Sequence, residues 1–138
     1  MAAPLQEQPV PDPKNSLMVL VAGPYRSGTD DDPALIAQNM HAMEEAALSV
    51  FRAGHLPVAG EWFALPLIRI AGSTHMGDAA WDAIFHPIAE RIAARCDVCL
   101  RIGGASAGAD AMVAIFTGRG RPVFHRVEDL PPASVEAA

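Results

Sequence analysis

The sequence predicts an α/β domain: a three-layer sandwich in which helices cover both faces of a mainly parallel sheet of four to five strands. Three observations lead there. Short apolar runs recur along the chain as "LMVLVA", "HLPVA", "DVCLRI" and "RPVFH". Between them, apolar residues fall at helical spacing, and alternation of this kind implies right-handed crossovers between parallel strands. The chain has 138 residues and is 51% apolar, enough for a single packed core.

The elements follow in order. Residues 1–15 carry Pro4, Pro9, Pro11 and Pro13 with few apolar partners, so this arm is expected to be disordered, as is a loose tail over 131–138. The single domain spans 16–130. Leu17 to Ala22 reads as a strand buried on both faces and ended by Gly23-Pro24. Asp32 caps a helix with Pro33 in its first turn, where a missing N–H does no harm. Ile36, Met40, Met43, Ala47, Val50 and Phe51 form its apolar stripe, and Gly54 closes it. A second strand covers His55 to Ala59. In the next stretch, "GEWFALPLIRIAGSTHMGDAAWDAIFH", Pro66 and the glycines are expected to leave short helical or irregular pieces. Pro87 then starts a helix with Ile88, Ile92 and Cys96 on one face, and "DVCLRI" is a third strand. After the turn "GGASAGAD", residues 109–117 form a helix burying Met112, Val113 and Phe116. Gly118 and Gly120 end it before the fourth strand. This is the plan of flavodoxin-like and Rossmann-like sandwiches, whose ligands sit beyond the carboxyl ends of the strands.

Composition narrows the function. A net charge of −6 with only 10 Lys and Arg leaves no basic field for a nucleic-acid polymer or an anionic membrane. No apolar run approaches a membrane span, and the first residues lack the charged and apolar parts of a signal peptide, so a soluble, cytoplasmic protein is expected. Cys96 and Cys99 read as small buried hydrophobes in a reducing compartment, because they end a helix rather than begin one.

Three segments collect at the carboxyl ends of the strands: "GPYRSGTDDD", "GEW" and "GGASAGAD". Gly103, Gly104 and Gly108 allow close backbone approach, and Ser106 opens a helix whose unpaired amides and dipole attract an anion. Gly23, Tyr25 and Arg26 add a turn, an aromatic cover and a guanidinium suited to oxyanions, while Asp30-Asp31-Asp32 reads as a helix cap with solvated neighbours. His75, Asp78, Asp82 and His86 would share one face of a continuous helix. Gly77 and Pro87 interrupt that run, so a solvated or interface face is expected and no metal site. Trp62, Phe63 and Trp81 read as core or subunit-contact residues, with an aromatic near the second strand able to stack on a base. His55 and His125 read as structural.

The chain resembles the nucleoside 2-deoxyribosyltransferase-like superfamily, including its DUF4406 branch and the nucleotide N-glycosidases. The resemblance rests on "AGPYRSG", "RAGHLPV", the aspartate at the head of "DVCLRI", "SAGADAMVAIFTGRG" and "RPVF", and covers residues 17–125. It implies a nucleoside or nucleotide ligand, no organic cofactor, and a homo-oligomer, dimer or tetramer. In that family the turn resembles S-x-G-x-x-x-E. Its Ser and helix-start amides hold an anionic group, and its Glu attacks the sugar anomeric carbon. Ser106 and Gly108 fit; Met112 stands at the glutamate, and a second family carboxylate falls on Ala89, one step from Glu90. A thioether cannot attack through oxygen or stabilise an oxocarbenium-like centre as a carboxylate does. Replacements are Glu61, at the correct end of the sheet, and Asp110, turned roughly 200° from Met112 around the helix; a third source is another subunit. The expected ligand site therefore comprises Gly23, Tyr25, Arg26, Gly104, Ser106, Gly108 and Met112, with Glu61 and Asp110 as candidate catalytic carboxylates. Two readings stay open here: N-glycosidic cleavage or transfer, and a catalytically silent relative acting as a ligand sensor or interaction module.

Overall fold

The computed structural model describes residues 13–135. In chain order the elements are β1 (Pro13–Lys14), β2 (Met18–Ala22), α1 (Pro33–Arg52), β3 (Leu56–Val58) and α2 (Gly60–Ile70). These are followed by α3 (Ala79–Ala93), β4 (Val98–Arg101), α4 (Ala107–Gly118), β5 (Val123–Phe124), a 3-10 turn (Val127–Asp129) and β6 (Ser134–Val135). Residues 1–12 of the expected arm and 136–138 of the expected tail lie outside the described residues. At their inner edges β1 and β6 pair antiparallel.

The main sheet has strand order β3-β2-β4-β5 and is parallel throughout. Strand alternation splits the core into two layers. Val19 and Val21 of β2, with Val98 and Leu100 of β4, pack against Met43, Ala47 and Val50 of α1. Leu20, Ala22 and Cys99 point to the opposite face, against Ala93 of α3 and Ala109 and Phe116 of α4. The flavodoxin-like three-layer α/β plan is therefore the observed one. Burial also pushes the Cys96 thiol up to about 11 and the Cys99 thiol up to about 12, which disfavours a reactive thiolate at either.

Asp32 caps α1 through a 2.9 Å bond from the Ala34 amide to its carboxylate. His55 is structural: the Leu17 amide donates to its Nδ1 at 3.0 Å, which leaves Nε2 as the donor to the Pro131 carbonyl at 2.8 Å. No described helix is long and apolar enough to cross a membrane.

The segment read as broken pieces differs most. Residues 60–70 form one helix with Pro66 inside it, and α3 begins at Ala79, so that Pro87 lies in its interior rather than at its start. Pro66 is exposed, and the helix is held instead by the face carrying Ala64 and Ile68. The start of α3 comes from Asp78, whose side chain accepts the Trp81 amide at 2.9 Å. Phe51, placed on the apolar stripe of α1, is 45% exposed, and the buried residues of that helix are Met43, Ala47 and Val50.

Candidate functional site

Two tight joints set the geometry at the carboxyl ends of the strands. Gly23 follows β2, and a Cβ there would lie 2.9 Å from Ile102 Cγ1, so the loop after β2 can cross the end of β4 only without a side chain. Gly103, at φ +76°, leaves the room that Pro24 fills. The loop 24–31 is then tied down from both sides. The Asn39 amide of α1 donates to the Tyr25 carbonyl at 2.9 Å, and the hydroxyl of buried Thr29 donates to the Arg26 carbonyl at 2.5 Å.

Beyond these joints lies a cavity of about 320 Å³, lined by the ends of β2, α2 and the loop after β2, by one face of α3, and by the start of α4. One wall is aromatic. Trp81 and Phe85, one turn apart on α3, stack at 5.4 Å and 8°, and Tyr25 continues the stack at 6.3 Å from Trp81. Asp82 and His86 of the same helix also face the cavity, with 4.0 Å between carboxylate and ring nitrogen.

A second wall carries Glu61, in the first turn of α2 and 8% exposed. Its Oε2 is the buried side-chain oxygen or nitrogen without a hydrogen-bond partner among the described residues. Burial raises the Glu61 pKa above the ordinary carboxylate value; its own backbone N–H opposes this more weakly. Tyr25 is raised too, by burial first and by the nearby Glu61 charge second.

The α4 end supplies the third wall. Ser106 caps the helix by accepting the Ala109 amide at 3.1 Å and a hydrogen bond from Ser27 at 3.3 Å. Ala107 and Gly108 follow it along the cavity, and Met112 lies one turn deeper. The Met112 methyl comes within 3.9 Å of the position a Cβ on Gly60 would take, so the thioether fills the space between α4 and α2.

Of the expected residues, the structure brings Gly23, Tyr25, Arg26, Glu61, Ser106, Gly108 and Met112 to one cavity. Gly104 and Asp110 do not line it. The buried Arg101 at the end of β4 takes both: its guanidinium donates to the Gly104 carbonyl at 2.7 Å, to the Ile102 carbonyl, and to Asp110 at 3.3 Å. The Asp110 side chain is 71% exposed, consistent with its angular offset from Met112. Ala89 is buried, and Glu90 is exposed one step around the helix. Arg26 sits at the rim, with Asp31 holding its guanidinium at 2.8 Å.

Sequence reasoning misses Trp81, Phe85, Asp82 and His86 as lining residues. Their i, i+4 spacings are visible in the sequence, but a helix start placed at Pro87 leaves 81–86 outside any helix. The expected face of four polar residues is divided in its roles. Asp78 is occupied as a cap, taking Ser73 Oγ at 2.9 Å and the Thr74 amide at 2.9 Å besides Trp81, while Asp82 and His86 border the cavity with side chains 60% and 71% exposed, as the solvated face expected of them. Among the described residues no three His, Cys, Asp or Glu side chains converge as metal ligands.

No family model and no curated protein matches the chain. Among solved structures it is similar to the 2-deoxyribosyltransferase of the psychrotolerant bacterium Bacillus psychrosaccharolyticus, described as a biocatalyst for the synthesis of antiviral and antitumoral nucleosides. The two share 14% identity at a TM-score of 0.51, over 77% of this chain and 69% of that one. The chain thus has a nucleoside 2-deoxyribosyltransferase-like fold.

Proposed function

We propose that the cavity binds a nucleoside or nucleotide. The observation that carries this reading is the pairing of a flat aromatic wall, Tyr25-Trp81-Phe85, with the amide-bearing start of α4 in one cavity. The wall suits the face of a base, and the helix start suits an oxyanion at the 5′ end. The likeness in fold to a deoxyribosyltransferase supports the same ligand class.

The proposed chemistry is cleavage or transfer at the N-glycosidic bond. When that bond breaks, its electron pair goes to the base, which needs a proton, and the anomeric carbon needs a nucleophile, water or a second base. Glu61 is suited to supply the proton, because burial raises its pKa and so favours the protonated form. No carboxylate occupies the Met112 position, so no glycosyl-enzyme bond forms there. Met112 also favours a second reading, a ligand sensor without turnover, since a thioether stands where a nucleophilic carboxylate would be needed.

Incubating the protein with nucleosides and 5′-monophosphates, with and without an acceptor base, separates these readings by chromatography of free base. Base release lost in Glu61→Ala supports catalysis. Saturable binding without release supports the sensor. Neither binding nor release overturns both. We also propose that the protein is cytoplasmic, needs no organic cofactor, and assembles as a homo-oligomer; the exposed apolar row Phe63, Leu67 and Ile70 on α2 supports the assembly.

A further inference from the structure

We infer that Asp31 sets the charge the site accepts, favouring an uncharged nucleoside over its 5′-monophosphate by holding Arg26 and adding a carboxylate beside it; this rests on the nucleoside reading above. The inference starts from the charges at the cavity. Among the described residues, Arg26 is the one Arg or Lys that lines it. Ser27, next in the chain, donates to Ser106 at the start of α4, so the loop carrying Arg26 runs beside the place proposed for the 5′ end. A guanidinium with an open edge there would grip a phosphate through two parallel N–H bonds.

Both edges of Arg26 are engaged within the protein. Its Nε donates to Asp31 Oδ1 at 2.8 Å and its Nη2 to Oδ2 at 3.4 Å, which takes one edge of the fork. On the other edge Nη1 lies against Gly77, at φ +80°, where a Cβ would collide with it. The Arg26 pKa is raised, first by the hydrogen bond to Asp31, and the charges of Asp31 and Asp82 add to this, so a second carboxylate acts on the same guanidinium. Asp82 also borders the cavity. Two carboxylates therefore surround one cation, and the start of α4 contributes only about half a positive charge. The balance stays negative, and Glu61 adds to it when ionised. A 5′-hydroxyl meets no charge penalty there, whereas a phosphate dianion does. The Arg26–Asp31 pair is half exposed, so salt screens that penalty.

The test is calorimetric titration of the full chain at about pH 8 with adenosine, inosine, cytidine and uridine and with their 5′-monophosphates. At that pH an imidazole such as that of His86 is ordinarily neutral, and the phosphate carries about two charges. For the base that binds best, the nucleoside is expected to bind tighter than its monophosphate. Asp31→Asn removes the carboxylate charge and keeps the left-handed backbone at this position, φ +60°, which asparagine also adopts. In this variant the ratio of monophosphate to nucleoside affinity should rise about tenfold, the scale of one unit charge acting on a dianion near a surface. A wild type that binds the monophosphate equally or more tightly overturns the inference and leaves the nucleotide reading standing. A ratio that stays the same or falls in Asp31→Asn also overturns it, since Asp31 is then idle or positions Arg26 for the phosphate. Binding of none of these compounds removes the site reading and the inference together. If the variant does not fold, salt decides with the wild type alone. From about 0.01 M to about 0.15 M, affinity for the monophosphate relative to the nucleoside should hold or rise as repulsion is screened, and a fall overturns the inference.

Discussion

Glu61 shows how one side chain can be unfavourable for the fold and useful to the site. Its pKa in the folded protein lies above the ordinary value of 4.5, so its ionisation opposes folding. The folded state is therefore unpenalised below about pH 4.5 and loses stability as the pH rises through the folded value. Glu61→Gln is expected to raise stability near neutral pH, because it removes the cost of ionising a buried carboxyl, and to give no gain near pH 4, where that cost is absent. Thermal melts across that range check it, and a gain that does not change with pH would contradict the assignment. Arg101 and Asp110 make the opposite pair. Arg101 is buried and ties the carbonyls of the turn after β4, so Arg101→Met should cost about 3 kcal/mol. Asp110→Ala should cost less than about 1 kcal/mol, because its carboxylate is exposed. It should also leave ligand binding unchanged; denaturant titration and calorimetry read both. The angular offset of Asp110 from Met112 is legible from helix geometry, whereas the capture of Gly104 by Arg101 is not, since nothing local marks that guanidinium as buried.

Among the elements, the prolines carry the main lesson. Pro66 and Pro87 read as punctuation, yet both lie inside helices. Local propensity loses to packing here: Ala64 and Ile68 of α2 and Ala89 and Ala93 of α3 bury faces that outweigh one missing bond in each helix. Pro66→Ala restores an amide able to reach the Trp62 carbonyl and is expected to stabilise the protein by about 1–3 kcal/mol. A loss of stability on that change would mean that the Pro66 ring itself contributes to the packing of α2. By contrast, β2, β4, α1 and α4 are legible almost to the residue. Their signals reinforce one another: a doubly buried apolar run, a capping Asp32 or Ser106, and glycines just past the helix end. The aromatic wall follows from neither kind of signal, because recognising it requires α3 to begin just after its Asp78 cap.

For the whole molecule, the apolar row on α2 is the feature a lone domain does not explain. Ile70 is 84% exposed and Phe63 and Leu67 are each 50% exposed. Analytical ultracentrifugation is expected to show an assembly of two or more chains, converted to monomer by Ile70→Asp; a wild-type monomer at micromolar concentration would refute this. The sequence alone determined the layer order, the four strands of the main sheet, the Asp32 and Ser106 caps, and the end of the sheet at which the glycine-rich turns gather, because apolar periodicity and turn chemistry are local and repeat along the chain. Only the tertiary structure decided which polar groups share the cavity. It set Glu61 in one chamber with Trp81 and drew Arg101 under the turn. The physical reason is that burial and pairing depend on what a distant segment places alongside a residue, and spacing in the chain carries no record of that.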